Sequence, residues 1–229
     1  MRLGIMQPYF MPYIGYWQLM AAVDTYVIYD DVNYIKGGWV SRNNILLNGQ
    51  KHMFTITLNG ASPNKLFNEI TIKDDFKKFS RMVESAYRKA PYYNDVVLLL
   101  GKIYNYEDKS LGAFMMNSFQ VILDYLGIKT QLILSSSLNK DNYLRGKDKV
   151  ISICQLLNAD TYYNAIGGQE LYRKEDFKDA GVDLFFLKSE LSQYTQFNNE
   201  FIAGLSMIDI LMFNSPAEIN NLLNAYQLV

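Results

Sequence analysis

Histidine and cysteine are almost missing from this 229-residue chain: His52 and Cys154 are each alone of their kind. A single cysteine excludes an internal disulfide framework and leaves a cysteine-ligated zinc without partners. A single histidine confines any Ser-His-Asp or Cys-His arrangement to that one residue and excludes a multi-histidine metal site. No metal site of either kind is therefore expected. Long apolar runs are absent too, none approaching the ~20 residues that a membrane span needs. The amino terminus has no positive region followed by a signal-type apolar core. The expectation is a cytoplasmic protein with no membrane span. A formal net charge of −1 gives no overall attraction to nucleic acid, so none is expected as a partner. Neither G-x-G-x-x-G nor G-x-x-x-x-G-K-[ST] occurs, which removes the two commonest phosphate-loop signatures.

What is present is a sizeable apolar fraction, 49%, and 18 Tyr with 13 Phe. Most of these rings are core or surface packing. The first 31 residues read as strand (Leu3 to Met6), turn, helix (through Trp17, Leu19, Met20 and Val23) and strand (Thr25 to Tyr29). That is the size of a βαβ unit, whose helix amino end favours an anion. Asn48-Gly49 between two strand-like runs predicts a hairpin with a type I′ turn. Helical periods follow over Asp74 to Ala90, Tyr92 to Tyr104 and Ser110 to Leu126, the last closed by Gly127. The α/β rhythm then resumes with strands at Thr130 to Leu134, Asp160 to Ile166 and Val182 to Leu187. Helices are expected between them and at Leu205 to Phe213 and Pro216 to Tyr226. The expected fold is α/β: a mostly parallel, Rossmann-like (nucleotidyltransferase-like) sheet with helices on both faces, a β-hairpin insertion and a helical layer. The expected organisation is one domain over 1–229, with the insertion at 33–66 and a helical subdomain at 74–126. The sequence leaves the oligomeric state open.

In such sheets ligands sit outside the carboxyl ends of the strands. That rule selects Gln7 and Tyr9 after the first strand, with Tyr13, Gly15 and Tyr16 opening the helix. It selects Asp30, Asp31 and Lys36 after the second, Ser135 to Ser137 with Arg145 and Lys147 after the third, and Asn164, Gly167, Gly168 and Gln169 at the fourth. Adjacent Asp30 and Asp31 point opposite ways on an extended chain, so at most one faces a ligand. Gly167-Gly168 permits close backbone approach, or simply makes a tight turn. Lys36, Arg42, Arg145 and Lys147 are candidate phosphate or carboxylate partners. Asp209, in an apolar helix, needs a partner, either as a structural cap or as a site wall.

Five ordered blocks carry a resemblance. They are Gln7-Pro8-Tyr9-Phe10 with Pro12 to Tyr16, Val27 to Val32, Lys36 with Gly38-Trp39 and Arg42-Asn43, Tyr163 to Gly168, and Leu205 to Asp209. Through them the chain resembles the WbqC-like protein family from end to end. The resemblance implies a role in bacterial O-antigen or related surface-polysaccharide synthesis, transferring glycine or another acyl group onto an amino sugar. The small-molecule substrate would then be a nucleotide or an amino-sugar nucleotide. Separately, Phe10-Met11-Pro12-Tyr13-Ile14-Gly15-Tyr16 is similar to the F-x-P…H-x-G-H turn of nucleotidyltransferases and pantothenate synthetase. Tyr13 and Tyr16 stand where those families carry histidines. That likeness implies ATP with Mg²⁺ as cofactors, Tyr13 and Tyr16 toward phosphates, and Asp30 taking the amine proton or holding the metal. Tyrosine keeps the hydrogen bond but brings no positive charge. The other reading on the same scaffold is a non-catalytic nucleotide- or sugar-nucleotide-binding protein.

Overall fold

The central sheet begins with the first strand of the chain and grows away from it on both sides. A computed structural model describes residues 1–198 and 200–229. The strands are β1 Arg2–Met6, β2 Thr25–Ile28, β3 Arg42–Leu47, β4 Gln50–Thr55, β5 Leu58–Asn59, β6 Thr71–Ile72, β7 Gln131–Leu134, β8 Thr161–Ala165, β9 Asp183–Ser189 and β10 Tyr226–Leu228. The α-helices are α1 Ile14–Ala21, α2 Lys77–Tyr87, α3 Tyr93–Tyr104, α4 Leu111–Leu126, α5 Gly146–Leu156, α6 Lys174–Lys178, α7 Met207–Phe213 and α8 Pro216–Leu223. Six strands form one sheet in the order β10-β9-β8-β1-β2-β7. All neighbours in it are parallel except β10, which runs antiparallel to β9. The chain builds outward from β1 through β2 to β7, then returns to the other side of β1 for β8 and β9. The reversal between β1 and β8 is the place where doubly wound sheets open a crevice.

Strand pleat divides the core into two layers. Leu3 and Ile5 of β1, Val27 of β2, and Leu184 and Phe186 of β9 pack with Val150, Ile153 and Cys154 of α5 and Phe177 of α6. Tyr26 and Ile28 point the other way, into a layer with Trp17 and Leu19 of α1 and Phe119 and Leu123 of α4. Each such side chain contributes about 1.5–3 kcal/mol through burial. The expected hairpin is present: β3 pairs antiparallel with β4 from Arg42 opposite Thr55 to Leu47 opposite Gln50. Its turn residues Asn48 and Gly49 have φ of 51° and 72°. Among the described residues no helix is long and apolar enough to cross a membrane.

The C-terminal helix is shorter than its apolar period suggests. It stops at Leu223, and Tyr226–Leu228 is an antiparallel edge strand. A three-residue strand carries no period of its own, so only the waiting edge of β9 reveals it. The small β5–β6 pair escapes the sequence for the same reason. Helix α2 begins at Lys77 rather than Asp74, because Asp74 and Asp75 accept hydrogen bonds from the N–H groups of Phe76 and Lys77 and make turns of their own.

One buried carboxylate joins the hairpin to the helical layer. Asp209 of α7 is fully buried. It accepts hydrogen bonds from the Tyr87 hydroxyl at 2.8 Å, the Tyr194 hydroxyl at 2.6 Å and the Gln196 amide at 2.7 Å. The Tyr87 oxygen in turn accepts the Leu46 N–H at 2.7 Å. Burial raises the Asp209 pKa although the three donors pull it down. A raised carboxyl binds its proton more tightly in the folded chain, so its contribution to stability falls as pH climbs from its ordinary 3.8 through that raised value. Tyr87→Phe is expected to lower the unfolding free energy in urea by about 1–3 kcal/mol, since it strands the Leu46 N–H and one Asp209 oxygen. An unchanged urea midpoint would contradict this. Asp209→Asn is expected to remove the decline in stability over the same pH window, which a urea series across that window reads directly.

Candidate functional site

At the carboxyl edge of the sheet the two adjacent aspartates turn to opposite faces, as the pleat requires. Asp30, 1% exposed, faces α4. Its Oδ1 accepts the Ser136 N–H at 2.9 Å and its Oδ2 the Ser136 hydroxyl at 2.6 Å. A Cβ at Gly112 would lie 2.9 Å from that Oδ2, so α4 approaches the carboxylate closely only because residue 112 is glycine. Burial raises the Asp30 pKa against the pull of the Ser136 hydrogen bonds. Both oxygens thus hold the turn that follows β7.

Asp31 faces α5. Its Oδ2 lies 2.7 Å from Lys140 Nζ and 3.0 Å from Lys149 Nζ, with all three side chains no more than 8% exposed. Lys149 also donates to the Asp31 carbonyl at 2.9 Å, and Lys140 to the Ser135 carbonyl. Burial pushes the Asp31 pKa up, but hydrogen bonds from Lys140, Ser135 and Lys149 outweigh it and hold the carboxyl below its ordinary range. Two ammonium groups thus share the Asp31 carboxylate, and the buried Asp30 carboxyl lies close enough to feel Asp31. Lys149 Nζ lies 5.1 Å from the centroid of the Tyr29 ring, the ring that separates this charge from the crevice.

That crevice is a cleft of about 380 Å³ between the ends of β1 and β8. Tyr9, Tyr29, Tyr162 and Tyr172 give it aromatic walls, and Gln7 and Asn164 bring side-chain amides. Gly167 and Gly168 line it with backbone; nothing lies within 4 Å of a Cβ at Gly167, whereas one at Gly168 would meet the Asn164 amide at 2.2 Å. The Asn164 side chain also accepts the Ala165 N–H at 2.9 Å, so its orientation is set. The Tyr29 hydroxyl has its pKa raised, first by burial and then by the nearby Asp31 and Tyr172, while Arg145 pulls it down. An apolar crevice with a few fixed polar groups is the usual form of a small-molecule site.

Of the residues selected from sequence, Gln7, Tyr9, Asn164, Gly167 and Gly168 meet in this cleft. Others do not. Tyr16 is buried, and its hydroxyl donates to the Gln7 carbonyl at 2.8 Å, so it fixes the strand end rather than facing a ligand. Tyr13 lies across Tyr9 from the cleft, with its ring folded over Gly15, where a Cβ would approach within 2.5 Å. Lys147 pairs with Asp176 at 2.8 Å, on the link between α5 and α6. Arg145 donates to the Asn142 and Leu144 carbonyls of its own loop. Lys36 is exposed on a loop, and Gln169 is exposed on the short 3-10 helix Ile166–Glu170. Arg42 stacks on Trp39 at 5.7 Å.

The sequence reading passed over Lys140, Lys149 and Tyr172. Lys149 left a signal: it falls in the inward stripe of α5 beside Val150 and Ile153, where a charge needs a buried partner. Lys140 sits in a loop and left none. A larger hollow, about 620 Å³, lies between β4 and α2, with His52, Lys73 and Lys78 on its rim. It lies away from the strand ends and its charged groups are exposed, so it is the weaker candidate. Burial pushes the Cys154 thiol up to about 12, which makes it an inert core residue.

Fold and cleft together define an α/β protein of the doubly wound class with a small-molecule-sized crevice at its switch point. Within that class the sequence is specific: the model of the WbqC-like protein family matches residues 7–221, and the chain belongs to that family. It is similar to the uncharacterized protein Rv1507c of Mycobacterium tuberculosis, 26% identical over 224 residues and 95% of either chain. No solved structure matches the chain.

Asp31→Asn leaves two buried ammonium groups without a counter-charge and is expected to cost about 3–5 kcal/mol of unfolding free energy. The same pair sets an acid limit. A depressed carboxyl contributes its full stabilisation above the ordinary 3.8, and that stabilisation is lost as pH falls through the lower folded value. Urea unfolding above and below that window checks both; a variant as stable as the parent would mean that the lysines do not depend on Asp31.

Proposed function

We propose that the chain binds an amino-sugar nucleotide in the switch-point cleft and serves the transfer of glycine or another acyl group to that sugar in bacterial surface-polysaccharide (O-antigen) synthesis. The observation that carries this reading is the pairing of a tyrosine-walled, amide-bearing cleft with the Lys149 ammonium directly behind Tyr29. Aromatic faces suit a base or sugar ring, the Gln7 and Asn164 amides suit hydroxyl and carbonyl groups, and the ammonium behind Tyr29 favours an anionic ligand. The open backbone at Gly167 admits a bulky group at close range. Membership in a family named for surface-polysaccharide genes supports the biological setting.

A second reading, binding without turnover, is favoured by one geometric fact. Both oxygens of Asp30 are engaged by Ser136, and the Tyr16 hydroxyl by the Gln7 carbonyl. Neither group is free to move a proton at the cleft, and with this geometry the protein contributes by holding and orienting the sugar.

Calorimetry with UDP-glucosamine and UDP-N-acetylglucosamine tests the shared premise. Saturable binding is expected, weakened about tenfold or more by Tyr172→Ala, the usual loss when a stacking ring is removed. Gln7→Ala is expected to weaken it less. Absence of binding to either compound would overturn the proposal. Mass spectrometry after incubation with glycine and ATP then separates the two readings: an acylated sugar nucleotide supports transfer, and tight binding with no product supports the binding role.

A further inference from the structure

Tyr9 is a wall of two cavities. On its far side from the cleft lies a hollow of about 200 Å³, bounded by Pro12, Tyr13, Trp39, Asn43 and Asn44. Three features mark it as built. Its floor is held by the chain: Asn43 donates to the Met11 carbonyl at 2.7 Å, Trp17 to the Pro12 carbonyl at 3.1 Å, and the Asn44 carbonyl accepts the Ser206 N–H at 2.8 Å. Its rim keeps two large rings in water, Tyr13 at 41% and Trp39 at 48% exposure. Trp39 carries Arg42, whose guanidinium makes no ion pair among the described residues and whose Nε is buried without a hydrogen-bond partner.

We propose that this hollow is a second ligand subsite, for a single sugar ring that carries a carboxylate. Two largely exposed rings at a rim, here Tyr13 and the Trp39 that carries Arg42, are the usual platform for a flat, partly apolar ring. Arg42 lies against the Trp39 wall rather than in the lining itself, has no acid beside it, and offers a fork that matches a carboxylate. The volume admits one ring and little more. The inference goes beyond the proposed function: Tyr9 stands as a wall between this hollow and the cleft, and the two sites bind separately.

The chain has two tryptophans, and Trp17 is fully buried. Emission of the exposed Trp39 therefore reports on the hollow alone. Titration with glucuronic acid is expected to shift and saturate that emission, with an affinity about tenfold or more above that for glucose. Arg42→Gln should abolish the preference for the acid, and Tyr13→Ala should weaken both sugars. Trp39→Phe, which leaves only the buried ring, should silence the signal. Emission that fails to saturate, or a preference that survives Arg42→Gln, would overturn the subsite. The cleft is scored separately, by calorimetry with UDP-glucosamine: if only the tryptophan signal fails, the hollow is empty of function and the cleft reading stands; if only calorimetry fails, the subsite stands and the cleft reading falls.

Discussion

A single carboxylate holding two buried ammonium groups is the constraint on which the rim of this protein depends. Asp31 cannot be viewed apart from Asp30, because the pleat sends one to each face of the sheet and both act on the segment after β7. Asp30 takes hold of it at Ser136, and Asp31 takes hold of it through Lys140 while anchoring α5 through Lys149. The edge of the sheet is thereby clamped from both sides by neighbouring residues. Two lysines buried on one acid are costly unless the geometry is good and the remaining protons are satisfied. Here each lysine also reaches a carbonyl, that of Asp31 or Ser135. Lys149 lies behind Tyr29, where its ammonium adds to the field of the cleft without touching what enters.

The tyrosines divide by what their hydroxyls do. Tyr16 and Tyr87 are buried and committed to backbone or to Asp209. Tyr9, Tyr29 and Tyr172 line the cleft. Tyr13 is different again, largely exposed and pinned over a glycine. The turn that resembles a histidine-bearing nucleotide site therefore contributes one residue to the core and one to a neighbouring hollow. Charge near the cleft comes instead from Lys149, against the Tyr29 ring, and from Arg145, which acts on the Tyr29 hydroxyl.

Period and turn chemistry carried most of the architecture. The strands of the parallel sheet, the Asn48-Gly49 hairpin and the long helices could be read because each signal is local: burial on two faces, a turn needing positive φ, an apolar stripe every three to four residues. The edge strand Tyr226–Leu228 could not, since its only cause is the free edge of a strand nearly forty residues earlier. The site divided along the same line. Gln7, Tyr9, Asn164, Gly167 and Gly168 follow from the rule that ligands gather at strand ends. The side-chain commitments of Asp30, Tyr16 and Lys147 follow from partners 9 to 106 residues away, which no local pattern encodes.

Tyr9 joins these strands of argument. Its neighbour Phe10 is drawn into the core among Phe54, Phe76, Phe79 and Phe114, and the Phe10 N–H donates to the Val40 carbonyl at 2.8 Å. Its own ring lies against Tyr16 at 5.7 Å. The ring is thus held from the chain on one side and from α1 on the other, and is not a freely swinging gate. A wall fixed in this way sets the distance between whatever occupies the cleft and whatever occupies the hollow. Held by packing, this wall keeps the two spaces apart, so that an occupant of one does not come within reacting distance of an occupant of the other. The family trait that most rewards attention is therefore the Gln7-Pro8-Tyr9-Phe10 block, whose last residue is core so that the one before it can be a wall.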